Sequence, residues 1–460
     1  MRNRTGVLAG WRAGYRNSPP RHSSITPVLL LAAQRFPPPE FTETGHQLPA
    51  LTGLPPRAPW LEYLDVGVLV VALAFAAWLA LRQRSRRGLV WLGIGSLLYF
   101  GFWKKGCVCA IGSIQNVALG LADPTFAVPV TVIAFALLPL VAALLFGRVF
   151  CSSVCPHGAL QDLVLLKPVN VPVWLDHGLR MIAYVYLGLA LVFAATGAGF
   201  IICQYDPFVP LFRFSGSTVM VTTGLALLAL GVFVGRPYCR WLCPYGVLLG
   251  LASSVSKWRV RITPDTCTQC RLCEQSCPVG AINPSTVPAP ARSVAADKRR
   301  LAVMILLLPV LVALGVWLGG WSGASLARKH RTVSLAERIH LEETGRVTGT
   351  TDASAAFRAT GEPVEDLYAN AQKVAARHVL AGRWGGGWIG LVIGMKLISL
   401  AVRRQRKDYE ADQFRCVACA RCYRYCPEEL KRLGLPVPEG YASAWPSAPD
   451  GRAAARPSVP

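Results

Sequence analysis

Histidine is scarce in this chain, with seven scattered among 460 residues, and none follows a CxxC pair. Covalent c-type haem, which needs CxxCH, is therefore not supported. No GxxxxGK[ST] phosphate loop occurs, and no GxGxxG stands after a strand. Nucleotide hydrolysis and nicotinamide binding are accordingly not written here. Charge is thin as well: 16% of residues are charged, 25 acidic against 48 basic. The resulting net charge of +23 would suit nucleic acid, but no basic stripe with interleaved aromatics stands in a soluble segment, so no nucleic-acid partner is expected. No signalling output domain is visible after the last cysteines, which argues against a redox-responsive regulator.

What the chain has in plenty is apolar length. With 53% hydrophobic residues arranged in blocks, it reads as a mainly α, polytopic helical membrane protein of about seven spans. The spans are expected near Asp65–Leu81, Gly88–Trp103, Phe126–Phe146, Met181–Cys203, Thr218–Gly235, Leu301–Trp321 and Trp384–Val402. The basic excess gathers beside them, at Arg82, Arg84, Arg86 and Arg87, at Arg292, Lys298, Arg299 and Arg300, and at Arg403, Arg404, Arg406 and Lys407. Read by the positive-inside rule, all three clusters give one orientation, in which the first span runs inward and the N-terminus is external. Lys396, near the inner end of the last span, is placed to snorkel towards water.

Fifteen cysteines carry the chemistry. Two runs of CxxCxxCxxxCP occur, Cys267, Cys270, Cys273, Cys277 and Cys416, Cys419, Cys422, Cys426. Thiolates at this spacing wrap a cubane cluster, and the fourth cysteine of each run serves the cluster of the other. The expected cofactors are two [4Fe-4S] clusters, one held by Cys267, Cys270, Cys273 and Cys426, the other by Cys416, Cys419, Cys422 and Cys277. A zinc site would show CxxC pairs across a longer gap. Two spans separate the runs, an even number, so both halves of this split bacterial-type ferredoxin return to one side, the cytoplasmic side by the charge rule.

A second pattern repeats. Gly147-Arg148-Val149-Phe150-Cys151-x3-Cys155-Pro156-x-Gly158-x-Leu160 recurs as Gly235-Arg236-Pro237-Tyr238-Cys239-x3-Cys243-Pro244-x-Gly246-x-Leu248. Four thiols in two CxxxCP corners form a candidate inner site for a metal or a further cluster; the alternative is a packing repeat. His157, inside the first corner, either tunes that site or is an interfacial polar residue. A weaker third copy, Cys107-Val108-Cys109 to Asn116, lies towards the outer face with Cys203. Cys107, Cys109 and Cys203 make an outer trio, open to cluster ligation completed by another group or to a disulfide with one thiol spare. An electron crossing about 30 Å of hydrocarbon needs a carrier within it, and these are the soft ligands on the far side.

The remaining segments complete a domain map. Residues 1–60 read as a signal-like run, Ile25–Ala33, after scattered arginines, then a proline-rich external lead. The transmembrane core with both corners spans 61–260, the first ferredoxin half 261–295, and a span 300–321. An external helical segment, 322–383, has helical patterning at Val333–Leu341 and Val364–Leu380 and reads as a docking subdomain or a solvated hairpin. A span at 384–402, the second ferredoxin half at 403–435 and a disordered tail at 436–460 follow. Ser322-Gly323-Ala324-Ser325 is like the motif on which flavin is covalently attached, but Gly319 stands where that motif has an acid.

The two GRx[FY]CxxxCPxGxL corners and the two ferredoxin runs resemble those of membrane-bound polyferredoxins of the NosR/NapH type, over roughly Leu61–Pro427. The resemblance implies quinol-linked or flavin-linked electron transfer across the inner membrane towards a periplasmic reductase of nitrous oxide or nitrate respiration. A quinone site is an expectation of that kind. The full-length NosR pattern carries a periplasmic flavin-binding domain where about 60 residues stand here, which implies a separate FMN-binding partner. The separation of the runs by two spans is closer to NosR cores than to NapH. The competing function is that of a CcoG-like assembly factor, a membrane ferredoxin linked to copper reduction during oxidase maturation. Whether the chain is a carrier only or a quinol dehydrogenase subunit stays open at this point.

Overall fold

A computed structural model describes residues 59–106, 110–169, 171–197, 199–262, 270–286, 294–402, 406, 409–432, 434 and 436–437. The signal-like lead, Cys107, Cys109 and Cys267 lie outside the described residues. The chain falls into two compact units, residues 1–65 and 66–460. The first is described only for residues 59–65, the opening of a helix, and the packing below is that of the second.

The apolar blocks fold as helices, because a backbone that meets lipid must satisfy its own hydrogen bonds. In order they are α1 (Pro59–Ala77), α2 (Arg86–Ser96), α3 (Ala110–Ala122), α4 (Val130–Phe146), α5 (Pro156–Val164) and α6 (Val173–Ala195). Then come α7 (Ile201–Tyr205), α8 (Val209–Arg213), α9 (Thr218–Gly231), α10 (Pro237–Trp241) and α11 (Pro244–Ser254). The remainder is α12 (Leu272–Gln275), β1 (Ile282–Asn283), α13 (Val294–Arg328), α14 (Arg331–Glu343), α15 (Asp352–Ala359), α16 (Val364–Ala401), β2 (Glu410–Ala411), α17 (Arg421–Tyr425) and α18 (Pro427–Arg432). π-helical turns at Trp78–Arg82, Leu97–Trp103 and Phe150–Val154 extend α1 and α2 and build the first corner.

Among the described residues four helices are long and apolar enough to cross a membrane: Trp60–Arg82, Val173–Ala195, Ala295–Arg328 and Val364–Ala401. α3, α4 and α9 are apolar but shorter. Four of the seven expected spans thus fall on helices of membrane length. Gly88–Trp103 instead forms α2 with its π-turn, and Phe126–Phe146 and Thr218–Gly235 form the shorter α4 and α9. The expected span Met181–Cys203 also needs correction. α6 starts earlier, at Val173, and stops at Ala195, where Gly197 and Gly199 take positive φ; Cys203 therefore sits on the separate α7.

α13 and α16 pack backbone against backbone. Gly315, Gly319 and Gly323 on one face Gly382 and Gly386 on the other, while Gly390 lies against Leu311 and Val312; a Cβ at any of these would strike a carbonyl or Cα across the interface. This small-xxx-small register is the membrane-helix device for close approach, where apolar side chains gain nothing by leaving lipid. At about 1.5 Å per residue the two helices reach roughly 50 Å or more, beyond a hydrocarbon core of about 30 Å. Their excess length carries α14 and α15, which close a small core of Ala336, Ile339, Leu367 and Ala371. Half-buried Glu342 is held there by Arg338 at 2.9 Å, Arg358 at 2.8 Å and Ser354 at 2.9 Å. The segment between the two long helices is thus helical around this small core, and Ser322 to Ser325 lie within α13.

β1 and β2 pair antiparallel, with Ile282 opposite Ala411 and Asn283 opposite Glu410. This pairing joins the ferredoxin halves across the α13–α16 excursion. The buried core is continuous from the membrane-type helices into that module: Leu69, Phe150, Tyr245, Cys273 and Tyr423 belong to one cluster.

Candidate functional site

Three of the four cysteines that precede proline, all but Cys277, have the same local reason for their geometry. The residue before proline is pushed into the extended region, and proline is at home in the first turn of a helix. Cys155 (φ −72°, ψ 119°), Cys243 (φ −67°, ψ 110°) and Cys426 (φ −88°, ψ 113°) obey this. Each thiol thereby turns back over the following amides. Gly246 N donates to Cys243 Sγ at 3.3 Å, and Gly158 N does the same for Cys155. Ala281 N donates to Cys277 Sγ at 3.3 Å, and the amides of Glu428 and Glu429 face Cys426. Amides aimed at sulfur stabilise a thiolate, whether free or metal-bound.

The two corners interlock. Cys151, Cys155, Cys239 and Cys243 lie within electrostatic reach of one another, three buried and Cys239 half-buried. The arginine of each corner crosses to the other. Arg236 donates to Cys151 O, and to Ser152 O at 3.2 Å, passing over Gly158. Arg148 lies over Gly246, with Nη2 3.6 Å from Cys151 Sγ and Nη1 donating to Phe414 O at 3.0 Å. The glycines of the repeated CPxG are therefore the slots for the partner's guanidinium. Burial, with the neighbouring thiols, pushes the Cys239 thiol up to about 11 and raises Cys155 and Cys243 further.

Asp162 is the hub that the sequence reading missed. It receives Arg86 from α2, Arg236 at 3.4 Å from the second corner, and Arg421 at 3.5 Å from the second ferredoxin half. Burial by itself would raise its carboxyl; the three guanidinium groups overcome that and hold it well below the usual carboxylate range. The available signal was its place after the first corner, Leu160-Gln161-Asp162, where the second corner continues Leu248-Leu249-Gly250.

In the ferredoxin module the halves meet through α12 and α17. Arg271 (φ 63°) and Ala420 (φ 59°), each directly after the second cysteine of its run, adopt the left-handed conformation and start those helices. The two runs thus share a backbone turn. Cys277 stands within electrostatic reach of Cys416, Cys419 and Cys422, while Cys426 stands near Cys270. Burial pushes Cys416 up to about 12 and raises Cys422 and Cys277.

Among the described residues no three His, Cys, Asp or Glu side chains are gathered tightly enough for a single metal ion. This bears on the expected closing of one tetrahedral metal site by the corners. A cubane, by contrast, offers a separate iron to each thiolate and so wants sulfurs set wider. Four cysteines within electrostatic reach of one another, amide donors at sulfur and a buried guanidinium beside them are compatible with a cluster that is negatively charged once ligated.

His157 is not interfacial but buried, 1% exposed. Its Nε2 lies 3.1 Å from Asp206 Oδ2, Tyr238 stacks on its ring, and Nδ1 has no partner among the described residues. The third copy keeps the corner's logic. Gln161 Oε1 accepts from Tyr238 N, just before Cys239, at 3.0 Å, and Gln115 Oε1 accepts from Ile202 N, just before Cys203, at 3.0 Å. Gly112 faces Cys203 Sγ as a Cβ there would approach to 3.0 Å.

A family model described as a 4Fe-4S binding domain matches residues 128–171 and 217–263, the two corners with their preceding helices. A second model of the same description matches residues 260–283. NirI of Paracoccus denitrificans (strain Pd 1222) is 31% identical over 252 residues, 49% of this chain and 37% of NirI. The ferredoxin-type protein MauN, for methylamine utilisation in the same organism, is 30% identical over 194 residues, 39% of this chain and 68% of MauN. The regulatory protein NosR of Pseudomonas aeruginosa (strain PAO1) is 28% identical over 262 residues, 50% of this chain and 35% of NosR. The chain belongs to the NosR/NapH-type polyferredoxins. The matched 4Fe-4S binding domains, beside helices of membrane length, mark it as an iron–sulfur protein of membrane type. This polyferredoxin spans well under two thirds of NirI or NosR. No solved structure matches it.

Proposed function

We propose that this polyferredoxin is an inner-membrane electron conduit that holds two interleaved cubanes in its ferredoxin module and a third cluster between the CxxxCP corners. The observation that carries this reading is the crossing of the runs, Cys277 among Cys416, Cys419 and Cys422, and Cys426 beside Cys270. Cys267, outside the described residues, completes the second set. Bound clusters supply one-electron chemistry. The chain's own residues set them against a continuous apolar core, point amides at their thiolates and offset their negative charge with Arg148 and Arg236. Arg148 also ties the corner site to Phe414, two residues before Cys416.

By the charge rule the ferredoxin module faces the cytoplasm, where cytosolic or quinol donors would reach it. The buried His157–Asp206 pair, with Nδ1 of the histidine unpartnered among the described residues, supports a quinol reading near the first corner. Cys203, with Cys107 and Cys109, stands as the outer relay towards a periplasmic flavoprotein or reductase. Respiration of nitrous oxide or nitrate is the setting that NosR and NapH relatives favour.

The test is iron and electron paramagnetic resonance of the purified protein beside Cys277→Ser, Cys426→Ser and Cys239→Ser. Each variant should lose one cluster's iron and a distinct signal, and Cys277→Ser should abolish the same signal as Cys419→Ser. If Cys277→Ser instead matches Cys270→Ser, the interleaving is wrong. A Cys239→Ser protein with full iron but diminished copper binding would point to the assembly-factor function.

A further inference from the structure

A large cavity borders the second corner, with Cys239 and Cys243 in its wall. It has a volume of about 1460 Å³ and lies between α6, α11, α16 and the segment leading into the second ferredoxin half. That exceeds the roughly 300–1,000 Å³ of small-molecule pockets. Its two ends differ in chemistry. Along the membrane-type helices its wall is apolar, with Leu187 and Leu191 of α6 and Trp388 and Leu391 of α16. Towards the ferredoxin module, nine arginine and lysine side chains line it against two carboxylates, Glu410 and Asp412.

Existing ion pairs leave that excess in place. Asp176 takes Arg180 at 2.7 Å and Arg240 at 2.6 Å, Asp412 takes Arg415 at 3.2 Å, and Asp162 takes Arg236. Lys396, Arg259 and Arg261 have no carboxylate partner among the described residues. Lys396, half-buried at the last turns of α16, stands in the field of both Arg415 and Arg180. His177 adds Nε2 at 3.3 Å from Arg415. Arg259 and Arg261 are exposed, whereas Lys396, Arg180 and Arg415 are half-buried; half-buried cations repel more strongly than those at a free surface, and a resident anion removes the cost. Lys396, expected to snorkel towards water, also borders this cationic cluster.

We propose that this cavity holds an anionic phospholipid, its phosphate among Lys396, Arg180 and Arg415 and its acyl chains along Leu187, Leu191 and Trp388. Basic pockets between membrane helices take such headgroups. The phosphate would then bridge α6, α16 and the residue directly before Cys416, fastening the ferredoxin module to the membrane core. α6 and α16 are already fitted to each other here, with Trp388 laid over Gly188 and its Nε1 donating to Tyr184 O at 2.7 Å.

The full chain, purified in mild detergent, is to be analysed by native mass spectrometry and lipid extraction. Thermal unfolding is then followed after delipidation with added phosphatidylglycerol, phosphatidylcholine or inorganic phosphate. Retained phosphatidylglycerol and a rise in Tm with phosphatidylglycerol alone are expected. Lys396→Gln and, separately, Arg259→Gln should keep parental iron content while phosphatidylglycerol retention falls roughly tenfold for Lys396→Gln, one charge-assisted contact. Equal effects of phosphatidylcholine would overturn the proposal, as would an equal rise with inorganic phosphate, which would make this a free-anion site. Unchanged lipid retention in Lys396→Gln at full iron content would do the same. Iron content reports on the clusters independently, so loss of the lipid site and failure of the cluster reading are separable.

Discussion

The contact between α13 and α16 gives a sharp test of how the ferredoxin is reassembled, through Gly386→Ala. A Cβ at Gly386 would stand 2.9 Å from Gly319 Cα and closer still to Gly315 O. Carbon atoms rest at about 3.5–4.0 Å, so the helices must part by roughly 1 Å, and a gap of that size forfeits a quarter to a half of each neighbouring dispersion contact. Added to ordinary overpacking, the expected loss is about 1–3 kcal/mol. Gly178→Ala is the matched control, since a Cβ there meets nothing within 4 Å and the position is an exposed helical one. It should be neutral or stabilising by about 0.5–1 kcal/mol. Thermal unfolding in detergent, followed by helical signal and by cluster absorbance, reads both. Because α16 leads directly to β2, Gly386→Ala should lower the melting of the cluster absorbance together with that of the helices. If Gly386→Ala and Gly178→Ala melt alike, the two helices do not touch through their glycines and the close-packing argument fails.

Three further outcomes follow from the site. Asp162→Asn leaves Arg236 buried without its carboxylate and should cost about 3–5 kcal/mol at neutral pH. Its carboxyl is depressed, so the ion-pair stability is present above the unfolded value of about 3.9 and fades only as pH falls towards the lower folded value; the gap to the parent in denaturant melts should narrow below about pH 4. Gly158→Ala would place a Cβ 3.0 Å from Cys151 O and 3.4 Å from Arg236 Nη1, and should destabilise by about 1–3 kcal/mol while speeding thiol labelling at Cys151. Ala420, left-handed and 2% exposed, should accept glycine within about 1 kcal/mol of the parent but lose about 1–3 kcal/mol as Ala420→Val, read as iron retention on heating.

Local rules carried far in this chain. Among the described residues the apolar runs become helices, since lipid leaves the backbone no other partner, and the CP dipeptides at Cys155, Cys243 and Cys426 fix thiols at helix starts because proline constrains its own φ and the residue before it. The left-handed turns at Arg271 and Ala420 follow the same cysteine spacing twice. Where a helix of the bundle ends was less legible: α6 stops before Cys203 because Gly197 and Gly199 turn the chain, and nothing in hydropathy marks that point.

The sequence by itself determined the cysteine spacing, the apolar lengths and the repeat of the two corners, which are matters of neighbours along the chain. Only the tertiary structure decided that Arg148 and Arg236 exchange corners, that Asp162 joins three distant arginines, that the α13 and α16 glycines face each other, and that Lys396 borders a cationic cavity. Each of these depends on residues tens to hundreds of positions apart meeting in a low-dielectric interior, where unpaired charge and excess volume are both costly. Such meetings leave no periodicity to read.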